Sequence, residues 1–227
     1  MRVCIFLFLL FAGVSRALIC NRENGRIKQI DASNGQVFAV DRLGNVFTRR
    51  GSFWARVPGK LAHVTVGAAG VWGVGRDQTL YRMVAGSWAL LGGQLTQIDA
   101  GGDQIVAGVN RHSNIFCADK QSAVRAADYR SPAYRQINGR MRYYSCGPQS
   151  CWGITAQGLI YCRLNVHANF CTGSRWLRVS GRFVVVEVGT DGSVYAVSRA
   201  GLVYRRMLQI QLTAPKVLSE VWLLFSS

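Results

Sequence analysis

Apolar residues recur along the chain in a short block that appears five times. Each block is a tetrapeptide of apolar and small residues, and an aliphatic-aromatic pair begins nine residues after the start of every block. The constant spacing indicates internal repetition rather than chance. The five blocks are Val37-Phe38-Ala39-Val40, Val71-Trp72-Gly73-Val74, Val106-Ala107-Gly108-Val109, Cys151-Trp152-Gly153-Ile154 and Val194-Tyr195-Ala196-Val197.

A second pattern lies between these blocks. An aromatic residue is followed at plus three by an aliphatic residue, at plus five by glycine and at plus seven by an apolar residue, with copies beginning at Trp54, Trp88, Tyr134 and Trp176. The two patterns together predict four short strands in each unit, joined by turns rich in Gly, Asp and Asn. In the second unit the expected strands cover about 61–66, 71–74, 79–83 and 88–91.

The repeat length indicates the fold class. Successive blocks start 34, 35, 45 and 43 residues apart, and no stretch between them has the 3.6-residue period of a helix. Repeats of this length with four antiparallel strands are typical of propeller blades. The sequence therefore predicts an all-β propeller with five recognisable repeats, in which Gly73, Gly108 and Gly153 allow close approach between packed elements.

The chain ends predict how the ring closes. A degenerate copy of the last strand of a unit begins at Cys20, whereas the last recognisable unit, 183–206, has only three strands. We therefore expect the N-terminal strand to complete the last blade. On this interpretation the propeller spans 18–206, and residues 207–227, which match neither pattern, form a divergent C-terminal tail.

The first seventeen residues have the features of a signal peptide. Arg2 precedes an apolar run over 5–14, and Ser15 and Ala17 are small residues at the positions that a signal peptidase reads. We expect cleavage after Ala17. The apolar run is too short to span a bilayer, so the mature chain is predicted to be secreted, without membrane insertion.

The chain is strongly basic. Its formal net charge is +16, and removing Arg2 and Arg16 leaves 25 basic against 11 acidic residues, a net charge of +14. Most basic residues are arginines, but they are scattered along the sequence, with Arg49-Arg50 and Arg205-Arg206 as the adjacent pairs. This charge allows two interpretations, a solvated basic surface or binding of a polyanion such as lipopolysaccharide or a sulfated glycan. No specific nucleic-acid binding is predicted.

Six cysteines remain after the predicted cleavage, and they allow fifteen pairings. A secreted chain favours disulfides, and Cys146 with Cys151 is the most local candidate because four turn-forming residues separate them. Zinc is a less favoured interpretation. Cys162, His167 and Cys171 do not have the spacing of a structural zinc site.

The sequence carries no enzyme signature. His63, His112 and His167 stand in no Ser-His-Asp or His-Glu arrangement. Glycoside hydrolysis would need a carboxylate pair, for which Asp31, Asp99, Asp103 and Glu187 are the plausible acids, but Asp beside Gly is ordinary turn chemistry. The repeated tryptophans are expected to pack between blades rather than to stack on sugars.

The ordered set of repeats resembles the tectonin-type propeller repeat, and the chain from about Leu18 to Arg206 is similar to the fish-egg lectin family. The resemblance rests on the tetrapeptides, on the Trp-x-x-Val-x-Gly segments and on stretches such as 101–110, 143–148 and 188–195. It implies a secreted lectin that binds N-acetylglucosamine-type sugars and bacterial surface glycans multivalently, in innate or egg defence. The family closes six blades, one more than is recognisable here.

The resemblance also implies residue roles. It favours Cys171 pairing with Cys117 over Cys162, which leaves Cys20 and Cys162 without assigned partners. It makes the turn residues the candidate ligand contacts, and it suggests calcium only weakly, so that no cofactor is predicted. The candidate ligand-binding residues are Asp103, Asn110, Asn114 and Asp191.

Two further hypotheses compete with a lectin. The chain could be a basic propeller that binds lipopolysaccharide or sulfated glycans without neutral-sugar specificity, or a truncated product without function. The salt dependence of binding distinguishes the polyanion-binding propeller from a lectin, because polyanion binding weakens steeply with ionic strength and neutral-sugar binding does not.

Overall fold

The computed structural model describes residues 2–5, 19–22, 26–126, 131–209 and 219–224. Within them the chain forms five four-stranded antiparallel sheets arranged in a ring, the architecture of a five-bladed β-propeller. A separate two-stranded sheet pairs β1 (Arg2–Ile5) with β2 (Ile19–Arg22). The predicted fold class is therefore confirmed.

Each blade uses four strands that are consecutive in sequence. Blade one contains β3 (Ile27–Ser33), β4 (Gln36–Asp41), β5 (Asn45–Arg50) and β6 (Phe53–Lys60), and blade two contains β7 (His63–Gly67), β8 (Gly70–Val74), β9 (Thr79–Val84) and β10 (Ser87–Gln94). Blade three contains β11 (Gln97–Asp99), β12 (Val106–Val109), β13 (Asn114–Ala118) and β14 (Arg135–Arg140). Blade four contains β15 (Tyr143–Cys146), β16 (Cys151–Ile154), β17 (Leu159–Arg163) and β18 (Trp176–Arg182), and blade five contains β19 (Val185–Val188), β20 (Val194–Val197), β21 (Val203–Gln209) and β22 (Ser219–Leu224).

One short helix, α1 (Lys120–Arg125), lies between β13 and β14. The Asp119 side chain caps it by accepting a hydrogen bond from the Ser122 N–H at 3.0 Å. In the described part of the chain, no helix has the length and apolar character needed to cross a membrane.

The apolar tetrapeptides form the second strand of each blade, where most of their side chains are fully buried. The tight packing explains the glycines in them. A Cβ atom added to Gly73 would lie 2.4 Å from Leu61 Cδ1, and one added to Gly153 would lie 2.8 Å from Met141 Cγ. In blades two to four, whose tetrapeptides contain the glycine, the apolar residue just before the first strand thus occupies the space beside it, which confirms the predicted close approach.

Side chains of the first strands join neighbouring blades through a repeated hydrogen bond. In each case a polar side chain accepts a hydrogen bond, at 2.8–3.2 Å, from a backbone N–H in the next blade. The donor belongs to the first strand of that blade or to the residue directly after that strand. The acceptors and donors are Asp31 and Val66, Thr65 and Ala100, Asp99 and Cys146, and Ser145 and Val188. Each blade is therefore positioned against the next through its backbone.

The tryptophans of the fourth strands make a second contact between blades. The indole N–H of Trp88 donates to the Pro58 carbonyl at 2.9 Å, and that of Trp176 donates to the Asn138 carbonyl at 2.8 Å. Each acceptor directly precedes the glycine of the preceding blade's fourth strand. These tryptophans pack between blades, as expected.

The predicted closure of the ring is wrong, because the N-terminal strand does not supply the fourth strand of blade five. That fourth strand is β22, from the C-terminal tail, and the N-terminal strand β2 pairs with β1 instead. Trp222 occupies the tryptophan position, because its indole N–H donates to the Ser180 carbonyl of blade four at 2.9 Å. Its ring packs 4.8 Å from that of Phe183, which supplies the apolar contact that places β22 on this blade.

Apolar side chains are less well covered on the first and last blades than on the others. Ile30 of β3 is 36% exposed, whereas its counterparts Val64, Ile98 and Val186 are fully buried. Val203 of β21 is 39% exposed, whereas the equivalent residues of the other blades are fully buried. The described chain thus has five blades, not the six that the resemblance implies.

Two disulfides lie in the described part of the chain. Cys146 pairs with Cys151 between adjacent strands, and Cys117 pairs with Cys171, which joins β13 of blade three to the loop before β18 of blade four. Both favoured pairings are confirmed. Cys162 is buried and belongs to neither bond. The expectation that Cys20 lacks a partner concerns a side chain outside the described residues.

Candidate functional site

One edge of the propeller is built from equivalent turns, and we call it the turn face. It comprises the turns between the second and third strands, at 41–44, 75–78, 110–113, 155–158 and 198–201, and the links to the next blade at 60–62, 94–96, 140–142 and 182–184. In blades one to four the link donates a backbone hydrogen bond to the turn, as Leu61 N–H does to the Gly44 carbonyl at 2.9 Å. The same scaffold therefore recurs around the ring.

A groove of about 500 Å³ opens on the turn face between blades four and five. Three arginines line it, Arg142, Arg182 and Arg199, together with Phe183. Arg182 donates to the Gln157 carbonyl at 2.9 Å and Arg142 donates to the Val184 carbonyl at 3.1 Å. Backbone carbonyls thus hold two of the guanidinium groups in place, and the remaining N–H donors are available to a ligand.

A second groove, of about 610 Å³, lies beside blade one and contains Arg26, Arg42 and Asp41. The Asp41 carboxylate accepts hydrogen bonds from the N–H groups of Leu43 and Asn45, each at 2.8 Å. Desolvation opposes ionisation of Asp41, but these bonds, the Asn45 side chain and the charge of Lys60 together lower its pKa. Asp41 is therefore ionised and holds the turn in shape.

The predicted ligand residues Asn110 and Asn114 lie on the turn face in blade three. Asn110 Oδ1 accepts from the N–H groups of His112 and Asn114, each at 3.0 Å. This is the pattern of an Asx turn, so the side-chain amide oxygen of Asn110 is already engaged in shaping the loop. Asn114 begins β13 and is half-buried.

The predicted ligand residues Asp103 and Asp191 lie on the opposite edge, which we call the loop face. Both belong to connections between the first and second strands of their blades. Asp103 is exposed. Asp191 accepts hydrogen bonds from the N–H and hydroxyl of Ser193, at 2.9 and 2.8 Å, which lower its pKa. The four predicted residues are therefore divided between two faces and do not form one site.

Three carboxyl groups from blades one, three and five lie on first strands close enough to affect one another. Burial is the main cause that raises the pKa of Asp99 to about 7 and that of Glu187 to about 8, with the charge of Asp31 contributing to both shifts and that of Asp99 to the shift of Glu187. The pKa of Asp31 is also raised, mainly by burial. Tyr143 and Ser145 donate hydrogen bonds to Glu187.

This arrangement serves packing between blades, because Asp31 and Asp99 each accept a backbone hydrogen bond from the following blade. Across the described residues, no group of three or more His, Cys, Asp or Glu side chains is placed to hold a metal ion.

Sequence comparison agrees with the repeat structure. The Tectonin domain model matches residues 26–222, which reach into β22. The chain belongs to the tectonin family. It is 38% identical to the fish-egg lectin of Cyprinus carpio over 190 residues, covering 83% of this chain and 79% of that protein. It is also 35% identical to tectonin-1 of Physarum polycephalum over 71 residues, 30% of this chain and 33% of that relative.

Solved structures superimpose on this tectonin chain. Human WBSCR16 superimposes with a TM-score of 0.54 at 12% identity, over 79% of this chain and 61% of WBSCR16. Prp20p of Saccharomyces cerevisiae gives a TM-score of 0.52 at 10% identity, over 76% of this chain and 55% of that protein. Each match spans less than two thirds of the larger protein, and at these identities the likeness concerns the fold alone.

Proposed function

We propose that this chain is a secreted lectin that recognises N-acetylglucosamine-type or bacterial surface glycans, and that it acts in innate or egg defence. The observation that carries the proposal is the 38% identity to a protein named as a fish-egg lectin, over most of both chains. The match covers 83% of this chain, so it rests on the ordered set of repeats and not on a single motif.

The repeated geometry supports multivalent binding. Five equivalent turns occupy one edge of the ring, and shallow sites on such turns bind single sugars weakly. Several weak sites that engage one glycan-coated surface together raise the overall avidity by two to four orders of magnitude, roughly, without any new contact. A bacterial surface bearing lipopolysaccharide is the kind of target that this arrangement suits.

Affinity chromatography tests the proposal. Secreted protein would be passed over immobilised N-acetylglucosamine at physiological salt and challenged first with additional salt and then with the free sugar. Retention against salt followed by elution with the free sugar is the expected result. Soluble, monodisperse protein that flows through would contradict neutral-sugar recognition, and protein that is not secreted or is aggregated would favour a truncated product without function.

The candidate contacts can be tested separately on each face. Asn114→Ala would report on the turn face, and Asp103→Ala would report on the loop face. Both positions lie outside the buried core, so folding should be retained. We expect earlier elution of at least one variant in a gradient of free sugar, and Asn34→Ala, in an exposed hairpin turn of blade one, is a control.

Secretion is tested at the N-terminus of the mature protein. If the first seventeen residues are a signal peptide, the secreted chain will begin at Leu18. Mass spectrometry of protein from the culture medium measures this directly. A secreted chain that retains Met1 would overturn this part of the proposal.

A further inference from the structure

The turn face gathers basic residues that are far apart in the sequence. Its turns and links, as defined above, contain eight basic side chains and two acidic ones, Asp41 and Asp77. All eight basic side chains are exposed. They are Arg42, Lys60, Arg76, Arg111, Arg140, Arg142, Arg182 and Arg199.

The repeat explains this concentration. Arg42, Arg76, Arg111 and Arg199 occupy the second position of their turns in four of the five blades. Lys60, Arg140 and Arg182 occupy the position after the glycine of the fourth strand in three blades. Because equivalent positions in a propeller meet at the same edge, residues tens of positions apart in sequence form one band of positive charge.

Hydrogen bonds to backbone carbonyls orient these side chains. Arg140 donates to the His112 carbonyl at 2.6 Å, and Arg76 donates to the Arg42 carbonyl of the neighbouring blade at 2.7 Å. Lys60 and Arg182 donate in the same way to turn carbonyls of their own blades. A guanidinium group held at one nitrogen loses less freedom when its other nitrogens bind an anion.

Carboxylates on the chain do not neutralise the band. Among the described residues, the ion pair between side chains joins Asp119 to Arg135, away from the turn face. The two acids on the turn face accept hydrogen bonds within their own turns, as Asp77 does from the Thr79 N–H at 3.1 Å. The arginines therefore retain their charge for an external anion.

We propose that the turn face binds a sulfated polysaccharide, with the groove between blades four and five as its strongest subsite. Arg142, Arg182 and Arg199 line that groove together, and planar guanidinium groups match the oxygens of a sulfate group. A flexible anionic chain could run along the band from blade to blade. This binding is separate from the proposed recognition of neutral sugars.

Two observations favour a sulfated polysaccharide over a nucleic acid. The large apolar side chain that is exposed within the described turn face is Leu43, whereas the exposed aromatic side chains of Phe53, Phe170 and Tyr195 lie outside it. Aromatic rings on which bases stack are the usual companions of basic residues in single-strand binding. The disulfides, in addition, indicate an oxidising compartment outside the cytosol.

Heparin affinity of the full secreted protein tests the proposal. The test variant is the triple substitution Arg142→Gln, Arg182→Gln and Arg199→Gln. The matched control is Arg50→Gln, Arg125→Gln and Arg175→Gln, which removes the same charge from exposed positions on the loop face. Dissociation constants for heparin, for chemically desulfated heparin and for a DNA fragment would be measured at physiological salt, and thermal unfolding would verify that each variant is folded.

We expect the loss of heparin affinity to depend on which face carries the substitutions. The turn-face variant should bind heparin about tenfold more weakly or worse, the loss expected when three charge-assisted contacts are removed. The control variant should change the dissociation constant by less than about threefold, because exposed charges that do not touch the ligand are screened by salt. Desulfated heparin should bind weakly to all three proteins.

Other outcomes overturn the proposal. Equal losses in both variants would show that binding follows net charge and not this surface, and unchanged heparin binding would exclude the turn face. DNA binding as tight as heparin binding would contradict the preference for sulfate. Elution from immobilised N-acetylglucosamine by free sugar, measured on the same variants, keeps a failure of this proposal distinct from a failure of the lectin proposal.

Discussion

The hydroxyl group of Tyr143 in blade four donates a hydrogen bond to the carboxyl group of Glu187 in blade five. Burial, followed by the nearby carboxylates of Asp99 and Asp31, raises the pKa of Glu187 from its ordinary value of 4.5 to about 8. The folded protein therefore holds a proton on this group at neutral pH, whereas the unfolded chain does not.

This difference in protonation predicts that stability falls with rising pH. The folded state binds more protons than the unfolded state between the ordinary carboxyl pKa and the raised values of about 7 for Asp99 and about 8 for Glu187. Burial has the opposite consequence for His63, lowering its pKa from 6.5 to about 4, so that its contribution to stability rises with pH until the unfolded-state imidazole is neutral, about one pH unit above 6.5. The carboxyl effect is thus isolated above that pH.

Thermal unfolding followed from pH 6.5 to pH 8.5 checks this expectation. The melting temperature of the unmodified protein should fall across this window, and that of Glu187→Gln should fall less, because an amide still accepts the Tyr143 hydrogen bond without ionising. At the upper end the variant should be the more stable of the two. A melting temperature that stays level or rises for the unmodified protein would contradict the assignment.

Packing between outer strands gives a second prediction, centred on Gly59. This residue has a φ of +108°, and an added Cβ would lie 2.9 Å from Cδ1 of Trp88 in the next blade. Gly59→Ala combines backbone strain with overpacking and should destabilise the protein by about 3 kcal/mol. Chemical denaturation measures the change in unfolding free energy.

Gly86→Ala is the matched control for that substitution. Gly86 also has a positive φ, of +82°, but no atom lies within 4 Å of the added Cβ. The strain of a positive φ is then the only contribution, so Gly86→Ala should lower the unfolding free energy by about 1 kcal/mol. If both substitutions cost the same, the Trp88 contact has no role in fitting the blades together.

Much of the fold could be predicted because each blade repeats the same apolar spacing. The buried second strands and the tryptophans of the fourth strands recur at fixed positions, and packing between identical units demands such recurrence. The sequence pattern does not predict the strand β22, because that strand departs from the repeated spacing. Trp222 is not followed by the glycine that marks the other fourth strands, although it lies 18 residues after Tyr204, as Tyr134 lies 18 residues after Phe116.

The candidate site was harder to predict from sequence than the fold. The arginines appear scattered when the sequence is read linearly, because the contacts that group them span whole repeats, as between Arg76 and the Arg42 carbonyl. The carboxyl groups of Asp31, Asp99 and Glu187 are separated still further along the chain. Aligning the five turns by position shows the recurrent arginine, whereas the effect of burial on the carboxyl pKa values requires the folded structure.

The assignment of β22 to blade five gives a third prediction. Trp222 contacts the Phe183 ring and lies 6.2 Å from the Trp152 ring in an edge-to-face geometry. Trp222→Ala removes these contacts and the hydrogen bond to Ser180, and because Trp222 is only half-buried it should cost about 2–3 kcal/mol of unfolding free energy. Trp222→Phe, which keeps an aromatic ring and loses the hydrogen bond, should cost less.

Urea denaturation of both variants distinguishes a blade strand from an unattached tail. If the C-terminal residues lay outside the propeller, both substitutions would leave the unfolding midpoint unchanged. Leu177→Ala, on the neighbouring blade, serves as the reference, because Leu177 is 44% exposed and its truncation removes a surface side chain.

The bond between Cys117 and Cys171 predicts a stability contribution that spans two blades. It closes a loop across a sequence separation of 54 residues, and the loss of loop-closure entropy in the unfolded chain is worth about 4 kcal/mol for a loop of this length. The double variant Cys117→Ala and Cys171→Ala should therefore unfold at a clearly lower denaturant concentration. Cys162→Ala, which removes a buried thiol that is in neither disulfide, should have a much smaller effect.

Peptide mapping under non-reducing conditions identifies the pairing independently of stability. Proteolysis should release one linked pair that contains Cys117 and Cys171, and the peptide that contains Cys162 should not be linked to either of them. Recovery of Cys171 bound to Cys162 would contradict the bond between blades. In that case the double variant would lose a disulfide within blade four, and the link between β13 and the loop before β18 would be absent.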